Sequence, residues 1–212
     1  MTMKLTRRAA LGTAAALPFA TAAAPVLAAS PETKANSTIA KSLHVGDFTV
    51  TTLLDGSFPR DGAKEMVGGG ATDEEFAKVS AENFIPADVA QFFFTPSLVN
   101  TGSELVLFDT GLGQGGIQAA LADAGVTPDQ IDVVVITHMH PDHIGGMTTS
   151  GAATFANARY VTGRTEYDFW AKMDAENRVA DLVSKKVTPM AEKMTFVEDG
   201  GEVASGVTAV GA

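Results

Sequence analysis

The clearest hydrophobic pattern in the chain is Ile131-Asp132-Val133-Val134-Val135-Ile136, a short, almost wholly apolar, β-branched run that predicts a buried strand. Other runs alternate. Leu43 to Leu54 predicts a hairpin turning at Gly46-Asp47. Leu98-Val99-Asn100 and Leu105-Val106-Leu107-Phe108 predict a second hairpin around Thr101-Gly102-Ser103. Gln91 to Val99 is a further apolar run, and Pro96 marks an edge or a bulge within it. Strands are also expected at Ala158-Arg159-Tyr160-Val161-Thr162, at Met194-Thr195-Phe196-Val197 and from Val207 to Val210, with a turn at Asp199 to Glu202.

Helical signals lie between these strands. Thr72-Asp73-Glu74-Glu75 is a capping box that opens a helix ended by Phe84, Ile85 and Pro86. A helix from about Ile117 to Ala124 stops at Gly125, and Thr127-Pro128-Asp129-Gln130 caps one more turn. Thr165 to Met173 carries Tyr167, Phe169 and Trp170. Glu176 to Met194 has Val179, Leu182 and Val183 at helical spacing, with Pro189 interrupting. Residues 56 to 70 read as loop. Strands alternating with helices define an α/β fold.

The central strand runs into Thr137-His138-Met139-His140-Pro141-Asp142-His143-Ile144-Gly145-Gly146, so three of the chain's 4 histidines follow it directly. Alternate side chains of an extended segment point to the same side, which lets His138 and His140 reach one ion together. Pro141 keeps His140 extended and ends the strand, and it sets Asp142 and His143 on the next turn. The glycine pair lets the backbone pass close by. Imidazoles suit zinc, iron or nickel, and a carboxylate beside them suits a second ion. The bland alternative, a polar loop with hydrogen-bonded histidines, fits a lone His better than this spacing. His44 stands alone and reads as a strand-surface residue.

His138, His140, Asp142 and His143 with Gly145-Gly146, and Asn100 to Gly111 upstream, resemble the signature of the metallo-β-lactamase superfamily. Leu98 to Gly102, Thr137 to Gly146 and Asp168-Phe169-Trp170 are most similar to its exported branch of methyl parathion hydrolases and related lactonases. The resemblance runs from about His44 to the end of the chain. It implies an αββα sandwich, of which this chain carries the N-terminal half and the start of the second. His138 and His140 would then bind one metal, and Asp142 and His143 a second. Asp109 would orient a metal-binding histidine from behind.

The implied activity is hydrolysis of an ester-like bond (lactone, aryl ester or phosphotriester) by a metal-bridged hydroxide that Asp142 helps to orient. Two zinc ions are expected, other divalent metals being alternatives. Phe92, Phe93, Phe94 and Trp170 are candidates for an apolar substrate pocket, and ordinary core packing is an equal alternative for them. A mononuclear iron oxygenase of the same superfamily, or a non-catalytic metal-binding exported module, are the competing readings. No G-x-S-x-G elbow supports a serine mechanism. The family's Gly-His-Thr-x-Gly-His-type segment and later ligands are not found before Ala212, so the chain reads as part of a longer protein. Two ligands per ion leave each site open. Residues 29–212 alone are expected to bind zinc weakly, hydrolyse little and self-associate through an uncovered sheet face.

Composition sharpens this picture. A net charge of −10 argues against nucleic acid and anionic membranes as partners. The absence of cysteine removes disulfides, thiolate ligands and a cysteine nucleophile. Lys4, Arg7 and Arg8 followed by the Ala-rich stretch to Leu27 resemble a twin-arginine export signal, with a cleavage site at Val26-Leu27-Ala28-Ala29. The stretch is broken by Pro18 and Pro25 and short for a membrane anchor. Cleavage takes the net charge to about −13. The expected organisation is a signal peptide at 1–28, a flexible lead-in at 29–40 and one domain at 41–212, periplasmic or secreted. Its expected partners are a small-molecule substrate and, in a homodimer, a second copy.

Overall fold

The computed structural model describes Ser30, Glu32 and residues 37–211. The expected export signal and most of the lead-in lie outside the described residues. Strands β1 (Ala40–Val45) and β2 (Phe48–Leu53) form the first hairpin, with Gly46 at a φ of 59° in its turn. Residues 56 to 70, expected as loop, instead hold β3 (Gly56–Asp61) and the short helix α1 (Ala63–Val67). β3 escapes an apolar-pattern reading because it is mostly exposed and takes its strand character from pairing. Helix α2 (Asp73–Glu82) has the expected capping box: Glu75 N–H donates to Thr72 Oγ1, and Thr72 N–H donates to Glu75 Oε2. β4 (Val89–Phe94) pairs with β3 in a separate two-stranded sheet. Pro96 therefore marks the step from that sheet to β5 (Ser97–Asn100), which lies inside the main sheet rather than at its edge.

β6 (Leu105–Phe108), α3 (Gly116–Asp123) and β7 (Val133–Ile136) follow, and then α4 (Pro141–Ile144) and the small hairpin β8 (Thr148–Thr149) and β9 (Ala152–Ala153). The chain continues through β10 (Arg159–Gly163), α5 (Arg164–Ala171), α6 (Arg178–Lys186) and β11 (Met194–Val197). It closes with the hairpin of β12 (Glu202–Ala204) and β13 (Val207–Thr208). The helical stretch from Glu176 to Met194 is interrupted near Pro189, as expected: Val187 ends α6, and Thr188–Lys193, with Pro189 near its start, forms a 3-10 turn. α6 opens where Asn177 Oδ1 accepts the amides of Val179 and Ala180.

The main sheet has seven strands in the order β1-β2-β5-β6-β7-β10-β11. Pairing is antiparallel from β1 to β6 and parallel from β6 to β11. Parallel neighbours need crossovers, and these place α3 and the α4 region between β6, β7 and β10. All four residues of β7 are buried because both faces of the sheet are covered. One face packs Leu53, Leu98, Leu107, Val134 and Ile136 against Ile117 and Leu121 of α3, Ile144 of α4 and Val183 of α6. On the other face, Val106, Val133, Val135 and Val161 meet Val203 and Ala204 of β12. Arg159 ties that hairpin to the sheet by donating to Val203 O at 2.6 Å. Among the described residues, no helix is long and apolar enough to cross a membrane.

Candidate metal centre

The candidate residues gather at the C-terminal ends of β6 and β7. Thr137 follows β7 and Asp109 follows β6, whose pairing with β7 extends to a bond from Asp109 N–H to Val135 O at 2.8 Å. Asp109 has a φ of 64°, a left-handed conformation that Asp tolerates better than most residues. That turn aims its carboxylate back over the loop after β7. Oδ1 accepts the Thr137 amide at 2.9 Å, and Oδ2 accepts the Thr137 hydroxyl at 2.9 Å and faces His143 Nδ1 at 2.8 Å. His140 caps α4 in extended conformation, and Pro141 opens that helix, so Asp142 and His143 share one short turn.

Two loops must approach closely for this to happen. Thr110 N–H and Oγ1 both donate to His143 O at 2.8 Å. A Cβ on Gly145 would collide with the backbone of Leu112, and one on Gly146 with that of Thr110. The Gly145-Gly146 pair thus serves close packing of the two loops. Lys186 of α6 holds the far side of the loop, donating to Gly145 O at 2.6 Å and to Thr148 O at 3.2 Å.

The three imidazoles form one cluster. Ring centroids lie 3.8 Å apart for His138 and His143 and 4.8 Å apart for His138 and His140. His143 Nε2 lies 3.3 Å from Asp142 Oδ2. Since Nδ1 of His143 is held by Asp109, its remaining nitrogen is the one beside the Asp142 carboxylate. Thr137 Oγ1 is 3.1 Å from His138 Nδ1. With the hydroxyl proton given to Asp109, that oxygen accepts from His138 Nδ1–H, which leaves the other nitrogen of His138 with its lone pair.

Electrostatics separate the two rings. Burial, with the neighbouring His143 and His140, pushes the His138 pKa below the ordinary imidazole value, favouring the neutral ring that binds metals. Burial works the same way on His143, but the hydrogen bond and charge of Asp109, followed by Asp142, outweigh it and raise its pKa. Among the described residues, no three His, Asp or Glu side chains are grouped to hold a single ion. The residues present fit a metal as donor pairs: neutral or carboxylate-anchored imidazoles beside one carboxylate, with distal nitrogens tied back to Asp109 and Thr137.

The aromatic candidates divide. Phe93 and Phe94 line a cavity of about 440 Å³ together with Asp109, Thr137, Asp142 and His143. Phe92 does not border it; its ring lies 6.1 Å from Phe58 and 6.4 Å from Phe94. Phe58 was missed because its strand was. Trp170 borders neither this cavity nor the larger one of about 730 Å³ that His138 and Glu166 line. It lies edge-on to His140 at 6.1 Å and donates Nε1–H to Glu166 at 2.7 Å. His44 is exposed, and its Nδ1 lies 3.2 Å from Thr49 Oγ1 on the neighbouring strand.

A sequence profile of the Metallo-beta-lactamase superfamily matches residues 95–208. The chain belongs to that superfamily. Solved structures agree on the fold. AidC, a dizinc quorum-quenching lactonase, is 22% identical with a TM-score of 0.72, covering 78% of this chain and 63% of its own. The hydrolase AbOPH of the beta lactamase superfamily is 23% identical with a TM-score of 0.67, covering 80% of this chain and 64% of its own. A probable metal-dependent hydrolase from Staphylococcus aureus is 25% identical with a TM-score of 0.64, covering 77% and 64%. The chain thus spans less than two thirds of the length of these structures. No curated protein sequence matches it.

Proposed function

We propose that the complete protein is a metal-dependent hydrolase of ester-like bonds, with a lactone, aryl ester or phosphotriester as substrate. The observation that carries this is the Asp109–His143–Asp142 arrangement in the wall of a cavity that Phe93 and Phe94 also line. His138 and His140 would hold one divalent ion, and Asp142 and His143 a second, with zinc as the expected metal. A metal bound there supplies Lewis acidity and a water acidic enough to be a nucleophile near neutral pH.

The chain's own residues do the rest. Asp109 and Thr137 fix the ring orientations of His143 and His138. Asp142, one-third exposed at its side chain, can orient the attacking water and accept its proton. Phe93 and Phe94 offer an apolar wall for an acyl or aryl arm. AidC's structure holds the product N-hexnoyl-L-homoserine, and that likeness favours a lactone with an acyl chain. The likeness of Leu98 to Gly102 and Asp168 to Trp170 to the methyl parathion hydrolase branch keeps aryl phosphotriesters as the second substrate class.

The experiment is a set of single variants of the complete protein. His138→Ala, His140→Ala and Asp142→Ala should each lower metal content and abolish hydrolysis of an aryl ester or acyl lactone. Unchanged stoichiometry and rate in all three would remove the site. One iron per chain with oxygen consumption in place of hydrolysis would replace this reading with an oxygenase.

A further inference from the structure

One carboxylate oxygen of α5 reaches into the loop between the two leading histidines. Glu166 Oε1 accepts the backbone N–H of Met139 at 2.7 Å and the indole N–H of Trp170, also at 2.7 Å. Met139 separates His138 from His140, and its side chain is fully buried among the helix-side core residues. The peptide joining His138 to Met139 is therefore held at two points, by core packing and by a charge-assisted bond to its N–H. Rotation of that peptide would swing His138 and His140 relative to one another, because it changes ψ of the first and the path into the second. Trp170 fixes the carboxylate in turn, and its ring lies against His140. Glu166 also borders, with His138, the larger cavity.

We propose that Glu166 is a positioning residue for the His138–His140 pair, acting through the Met139 amide with Trp170 as its strut. This rests on the metal-site reading above. It assigns Glu166 no contact with substrate and no proton transfer; its work is to set the angle between two imidazoles before an ion arrives. Sequence spacing did not mark it, because the bond spans 27 residues and ends on a backbone group.

The test is cobalt(II) titration of the complete protein after chelation, read by visible absorption and bound stoichiometry, with circular dichroism to follow folding. Glu166→Gln keeps an oxygen acceptor at the same reach and should bind cobalt within about twofold of the parent. Glu166→Asp keeps the charge but shortens the arm, and Glu166→Ala removes the acceptor. Both should weaken cobalt binding by roughly 10–100-fold and alter the absorption bands. If Glu166→Ala does not fold, the Asp and Gln pair still decides. Parental affinity and spectrum in Glu166→Asp would overturn the proposal, as would a Gln variant as weak as the Asp variant, because an oxygen acceptor kept at the same reach would then fail to hold the pair. A parent protein that binds no cobalt would instead overturn the metal reading itself, and this proposal with it.

Discussion

Replacing Asp109 with asparagine exchanges one carboxylate oxygen for an NH₂ group and removes the negative charge at nearly unchanged size. Asparagine accepts a left-handed φ as readily as aspartate, so the 64° backbone of this position is kept without added strain. The amide oxygen can still accept the Thr137 N–H. The NH₂ group then faces His143 Nδ1, at a contact that is 2.8 Å in the parent, and two N–H groups oppose each other unless His143 moves its proton to Nε2. That shift blocks the nitrogen beside Asp142. One charge-assisted hydrogen bond contributes about 1.5–3 kcal/mol when well buried. Here the side chains of His143 and Asp109 retain 23% and 13% exposure, so water recovers part of the loss and the lower figure, about 1.5 kcal/mol, is expected. For a chain of this size that lowers Tm by roughly 3–6 °C.

The pH dependence of Asp109→Asn has a definite sign. His143 has a raised pKa in the folded protein, so its ion pair stabilises fully below the unfolded imidazole value and fades as pH rises through the folded one. The Tm gap between parent and variant, both metal-free, should therefore be wider near about pH 6 than near about pH 9. Metal affinity should fall by roughly 10–100-fold. Thermal unfolding at the two pH values and a metal titration measure all three effects. Equal stability at both pH values, with parental metal affinity, would show that Asp109 does not anchor His143.

Other substitutions separate structure from chemistry. Phe93 is 63% exposed, so Phe93→Ala should change stability by less than about 0.5 kcal/mol while raising KM for apolar acyl or aryl substrates; an unchanged KM removes it from the pocket. Lys186→Met should destabilise by about 1–3 kcal/mol in urea, because the carbonyls of Gly145 and Thr148 lose their shared donor, and parental stability would show that water replaces it. The mature N-terminus should lie near Ala29, and an exported form still beginning at Met1 would contradict the signal reading.

Much of the frame was legible because local pattern and tertiary role agreed. The apolar run before Thr137 is a strand buried on both faces, and Thr72 and Glu75 cap a helix as their spacing requires. Elements defined by pairing rather than by apolar content were not legible. β3 has a proline and two charges among six residues and exists because β4 lies beside it. Pro96 could be read as a break but not as a change of sheet. The histidine cluster was visible as a motif, whereas its supports were not. Asp109 came from a family likeness, and its hold on both Thr137 and His143 depends on a backbone angle that sequence does not display. Glu166 and Lys186 act on backbone atoms 27 and 41 residues away, which leave no trace in local spacing.

His138, His140, Asp142 and His143 are proposed to hold metal for hydrolysis. That role is tested most directly by elemental analysis of the complete protein alongside its turnover of an acyl lactone or aryl ester, before and after chelation. Two zinc-type ions per chain, with hydrolysis lost on chelation and restored by added metal, is the predicted result. A protein that purifies metal-free, takes up no ion and hydrolyses these substrates at the same rate with chelator present would contradict it.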